Sequence, residues 1–111
     1  MPRAKRSIQF AITLDGHSLI WRLHREQQWF TEDGWKGVAI HVKVADKVRR
    51  ELVMEYPAVI SQKFGYMKNE LVRQNIMPAK VEGHIRQAIE AGWDPDSRGK
   101  PFTYQVEELP G

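Results

Sequence analysis

The sequence predicts an α+β domain: an antiparallel four- to five-stranded sheet, made of two hairpins plus a last strand, with one main helix packed on one face in the order ββββαβ. Three observations carry this expectation. Asp15-Gly16 lies between two alternating segments, a second alternation runs from Val38 to Tyr56, and Ile85 to Phe102 reads as the end of an amphipathic helix, a stop and the approach to a final strand. At 111 residues the chain fits a single domain, 1–111, with one core. Residues 1–6 are expected to be a flexible basic tail.

The first hairpin follows from turn chemistry. Asp-Gly supplies the positive φ angles of a type I′ turn, whose twist suits a two-residue loop. That loop sets Ile12 against Leu19, Phe10 against Trp21 and Ile8 against Leu23 on one side. Gln9 with Arg22 and Ser7 with His24 then occupy the other. A slip of one residue would mix the two sets, so the register is strongly specified.

In the second hairpin Val38, Ile40, Val42 and Val44 alternate with Ala39, His41 and Lys43, and Leu52, Met54 and Tyr56 continue the pattern. A three-residue loop, Ala45 to Lys47, pairs Ile40 with Leu52 and Val38 with Met54, whereas a two-residue loop would set Ile40 against Glu51 in the core. The outer face then places His41 across from Glu51 and Lys43 across from Arg49.

Between the hairpins, Arg25 to Gly37 must bulge or break, because continuing both strands toward a turn at Asp33-Gly34 would carry Arg25 and Gln27 onto the apolar face. Trp29, Phe30 and Trp35 are left on a loop or irregular hairpin tip. These rings either fold over an open edge of the core or form an exposed contact surface.

From Ala58 to Met77 the reading is a short helix. Pro78 suits the first turn of a longer one, where its missing N–H removes no bond. Val81, Ile85, Ala88 and Ile89 form the apolar stripe, Gly92 supplies the left-handed stop and Pro95 prevents continuation. Trp93 is placed to fold back on the preceding turn, Asp94-Pro95-Asp96-Ser97 makes a turn, and Phe102, Tyr104 and Val106 alternate as the last strand.

The formal charge is +3, unevenly spread: to Arg50 there are ten basic and five acidic residues, +5, and seven and nine thereafter, −2. An anionic partner would therefore be sought in the N-terminal half. The absence of Cys excludes disulfides, thiolate nucleophiles and Cys-type zinc sites. The start, MPRAKRSIQF, has no apolar run of signal-peptide or membrane-span length, so a soluble, cytoplasmic protein is expected.

No catalytic, cofactor or metal signature is present. The four histidines, His17, His24, His41 and His84, contain no i, i+4 pair and no His-x-His. His41 facing Glu51 could act as a carboxylate-oriented base, but an open sheet face offers neither nucleophile nor oxyanion donors, and the pair reads as a solvated cross-strand contact. His84 reads as a boundary residue of the helix stripe. The glycines show no phosphate-cradling spacing.

Two candidate surfaces remain. The preferred one is an interaction surface of Trp29, Phe30 and Trp35, since Trp is a residue type that anchors interfaces. It implies a non-catalytic module binding an unknown protein partner or a second copy through the 25–37 loop and the free sheet surface or edge. The alternative is nucleic-acid contact through Arg3, Lys5, Arg6, Arg22, Lys43 and Arg49, which the registers above bring to one end and one face of the sheet. Against it, Phe10, Trp21 and Tyr56 point inward, and Glu51 and Glu55 interrupt the basic stripe.

The run Ile85, Ala88, Ile89, Gly92, Trp93, Pro95, Arg98, Gly99, Lys100, Pro101 and Phe102 resembles the ending of small uncharacterised bacterial proteins, some carried on mobile gene cassettes. They share a C-terminal helix, a Gly-Trp-x-Pro turn and an Arg-Gly-Lys-Pro-Phe run into the last strand. The resemblance covers about a fifth of the chain. It implies a bacterial stand-alone domain and no catalytic residue.

Overall fold

The computed structural model describes residues 9–26, 28–31, 34–58 and 76–109. The expected 1–6 tail, the pairs made by Ser7 and Ile8, and nearly all of the short helix read over Ala58 to Met77 lie outside the described residues.

The first hairpin, β1 (Gln9–Leu14) and β2 (His17–Arg25), has the register that Asp-Gly dictates, with Phe10 opposite Trp21 and Ile12 opposite Leu19. Asp15 and Gly16 both adopt positive φ, 51° and 81°, as a type I′ turn requires. Phe10 lies against the buried Trp21 with ring centroids 4.6 Å apart, yet stays 39% exposed, because β1 is an outermost strand of the sheet. The reading of Phe10 as an inward residue is therefore only half met.

The break after β2 is a bulge at His24: Leu23 faces Ile40 but Arg25 faces Ala39. Of the loop and the irregular hairpin tip expected between Arg25 and Gly37, the structure shows the hairpin. It forms a two-stranded ribbon, β3 (Gln28–Phe30) and β4 (Gly34–Lys36), that pairs Trp29 with Trp35 and stands apart from the main sheet.

The second hairpin joins β5 (Ala39–Val44) to β6 (Leu52–Glu55), but Ile40 faces Met54 and Val42 faces Leu52, two residues away from the predicted pairing. Residues 45–51 therefore form the connection, instead of 45–47 alone. Tertiary bonds supply the reason. Arg50 N–H donates to the Ser97 carbonyl at 2.7 Å, Arg50 Nε–H to Lys100 O at 2.9 Å, and Trp93 Nε1–H to Arg50 O at 3.0 Å. These bonds hold the end of the loop away from β5. An offset of two preserves side-chain parity, so the predicted apolar set is still the buried one.

Helix α1 (Pro78–Glu90) begins on Pro78 and buries Val81, His84, Ile85 and Ala88, with Ile89 partly covered. His84 is 2% exposed, inside the core and not at its boundary. The helix ends in a Schellman motif: Trp93 N–H reaches Ala88 O and Gly92 N–H reaches Ile89 O, with Gly92 at φ 125°. Trp93 folds back as expected and is 1% exposed.

The last strand, β7 (Phe102–Gln105), pairs with β6 in parallel, so the five-stranded sheet, ordered β1-β2-β5-β6-β7, is mixed and not wholly antiparallel. Strand, helix and returning strand make a crossover, which lands the chain beside β6 in the same direction. Trp21, Leu19, Ile40, Val42, Leu52 and Met54 from the sheet meet Val81, Ile85 and Ala88 from α1 in one core. No helix among the described residues is long and apolar enough to cross a membrane.

Candidate functional site

The topology sorts the polar and aromatic residues to two ends and one face of the sheet. At one end, β1 begins at Gln9 and the β3–β4 ribbon leaves from Arg25. At the other, the Asp15-Gly16 turn, the 45–51 connection and the 94–101 loop converge, tied by His17 Nε2 to Asp96 Oδ2 at 2.9 Å as well as by the Arg50 bonds. The outer face, opposite α1, lies between.

On the ribbon, Trp29 is 60% exposed and its ring passes over Gly34, 3.7 Å from where a Cβ would stand. Gly34 itself has φ 77°, a conformation suited to glycine. Phe30 and Trp35 belong to the same ribbon by register, Phe30 opposite Gly34 and Trp35 opposite Trp29.

β1, which starts at this end, adds a second open feature along the sheet's edge. It contains no charged residue, and Gln9, Phe10, Ala11 and Thr13 are exposed. In a two-residue hairpin Leu14 and His17 exchange backbone bonds, so alternation turns the N–H and C=O groups of Gln9, Ala11 and Thr13 away from β2. Among the described residues no strand pairs with that outer side.

On the outer face, Arg22 Nη2–H donates to His41 Nδ1 at 3.3 Å, and His41 Nε2–H donates to Glu51 Oε1 at 2.9 Å. The expected His41–Glu51 contact is made, although the backbone partner of His41 is Val53. Both ring nitrogens are engaged, which leaves His41 no lone pair aimed at a substrate. The bulged His24 lies 5.4 Å from His41 with the rings tilted by 45°, and its pKa is lowered by burial first and then by the nearby His41, Arg22 and Arg25. Arg25 is occupied as well, by the Gly37 carbonyl at 3.2 Å and Glu55 at 3.7 Å.

The basic set is thus dispersed. Arg22 and Lys43 lie on the outer face, Arg49 belongs to the connection at the far end, and Arg3, Lys5 and Arg6 lie outside the described residues. Sequence reasoning missed what Arg49 joins. Lys47, Val48, Arg49, Arg98 and Gly99 line a cleft of about 420 Å³ between the 45–51 and 94–101 loops. No local spacing signals it, because its two walls come from opposite halves of the chain.

A buried polar pair sits under the helix. Tyr56 Oη–H donates to His84 Nδ1 at 3.0 Å, and His84 Nε2 faces Glu108 at 3.6 Å. Burial lowers the pKa of His84 and Glu108 opposes it, while burial pushes the Tyr56 hydroxyl far above its ordinary value. Among the described residues no group of three or more metal-ligating side chains converges. No protein-family model, curated protein or solved structure matches the chain.

Proposed function

We propose that this chain is a non-catalytic binding module whose contact surface is the ribbon end of the sheet, with Trp29 as anchor and β1 as an open edge. The 60% exposure of Trp29, a large apolar residue on a ribbon outside the main sheet, carries the reading. A second copy of the chain is the partner that fits best. Two β1 edges can pair antiparallel about a two-fold axis, and an uncharged six-residue edge lacks the lysines and prolines that natural sheets use to prevent such pairing. Nucleic-acid contact through the outer face ranks behind it, because Arg22 and Arg25 are occupied within the sheet.

Sedimentation of Trp29→Ala and Ala11→Lys at several concentrations tests the proposal. Both should dissociate the assembly with little change in monomer melting temperature. A purely monomeric wild-type chain, or a Trp29→Ala variant that melts far lower while associating normally, would return the ribbon to a structural role.

A further inference from the structure

The cleft at the opposite end has a different chemistry. Its lining side chains are Lys47, Val48, Arg49 and Arg98, three of them cationic, and Gly99 completes the wall. Among the described residues no carboxylate lies within ion-pair distance of Lys47, Arg49 or Arg98. Asp96, which feels the charges of Lys47 and Arg49, is held by His17 at 2.9 Å.

The walls are fixed before any ligand arrives. Arg50, next to Arg49, bonds to Ser97 and Lys100 on either side of the Arg98-Gly99 wall, its guanidinium lies 5.3 Å over the Phe102 ring, and its carbonyl takes the buried Trp93 N–H. Arg98 and Gly99 follow directly on a closed turn in which Asp94 accepts from Asp96 N–H at 2.9 Å and from Ser97 Oγ–H at 2.7 Å. Gly99, at φ 135°, has open space where a Cβ would stand, so a ligand can approach the backbone there.

Arg49 Nη1–H donates to the Val48 carbonyl at 2.9 Å, but none of the three cations has a described carboxylate within ion-pair distance. Like charges on adjoining loops repel one another, and an anion relieves that repulsion. Guanidinium forks match phosphate oxygens two at a time, and a lysine adds a point charge. The volume lies in the range of small-molecule sites, larger than one phosphate needs. We propose that this cleft binds a ligand carrying two or more phosphate groups, held by Arg49, Arg98 and Lys47. The site is independent of the ribbon and its association. The phosphates can belong to a free nucleotide or polyphosphate, or to a nucleic-acid backbone.

Amide chemical shifts followed during titration with sodium tripolyphosphate, and separately with a short oligothymidine strand, test the site at low and physiological salt. Shifts should concentrate on 47–49 and 98–99. Arg49→Gln and Arg98→Gln should each weaken binding about tenfold, the order of one charge-assisted hydrogen bond. Arg86→Gln, which removes the same charge from α1, should leave it unchanged. Tighter binding of oligothymidine, with affinity falling steeply in salt, assigns backbone phosphates; tighter binding of tripolyphosphate assigns a free ligand. Absence of shifts from both probes at low salt overturns the proposal, as does an equal loss on Arg86→Gln.

Discussion

Replacing Ile85 by Ala tests the packing of α1 on the sheet most directly. Ile85 is fully buried, between Val81 and Ala88 on the stripe that meets Leu52 and Met54. The substitution removes three carbons, which at about 0.8 kcal/mol each sets a floor near 2.4 kcal/mol. The sheet beneath is held by ladders on both sides and cannot collapse into the gap, so a cavity term raises the cost toward about 5 kcal/mol. Ile89, one turn further along the helix and only partly covered, should cost about half as much. Urea titrations at constant m-value read both, and the Ile85 variant should melt about 10 °C or more lower. A loss below about 0.5 kcal/mol for Ile85→Ala, or a larger loss for Ile89→Ala, would mean that α1 presents a different face to the sheet.

Three further outcomes follow from the geometry. Tyr56→Phe should cost about 1 to 3 kcal/mol by leaving the buried His84 Nδ1 without its donor, a loss that denaturant midpoints would show. Stability should also decline on acidification. The folded pKa of His84 lies below its unfolded value near 6.5, so the unfolded chain binds the extra proton first, and the contribution, complete above that pH, is lost as pH falls below it. His24 acts in the same direction, whereas His17, raised chiefly by its hydrogen bond to Asp96, contributes below pH 6.5 and loses that contribution as pH rises. Thermal melts across pH 5 to 8, with the Tyr56→Phe chain as comparison, would expose a flat profile if His84 were solvated. Gly37→Ala should destabilise by about 1 to 3 kcal/mol or more, because its Cβ would collide with the carbonyls of Tyr56 and Pro57, while Gly83→Ala on α1, with open space around it, should stabilise by about 0.5 to 1 kcal/mol. Calorimetry of the two glycine variants should therefore give shifts of opposite sign.

Trp29 and the basic cleft differ in how legible they were. The ribbon could be anticipated because Arg25 and Gln27 could not continue the apolar face without a bulge, and the bulge occurs at His24. Trp29's exposure could not, since alternation says which side of a strand a ring takes and not whether anything covers it. Lys47 and Arg98 were unremarkable as sequence neighbours. Their convergence depends on Arg50 reaching Lys100, residues 50 positions apart.

The sequence by itself determined the first hairpin's turn and register, the stop of α1, and most of the apolar residues that face the core. Each rests on interactions within a few residues: the positive φ that Asp-Gly admits, the Gly92 stop, and side-chain periods of two and 3.6. Only the tertiary structure decided the two-residue offset of β5 on β6, the parallel docking of β7, the burial of His84 and the cleft. Parity is conserved by an offset of two, and the apolar pattern of Phe102 to Val106 is the same in either strand direction. Local pattern is degenerate between these choices, and long-range hydrogen bonds from the 45–51 connection to the 94–101 loop select among them.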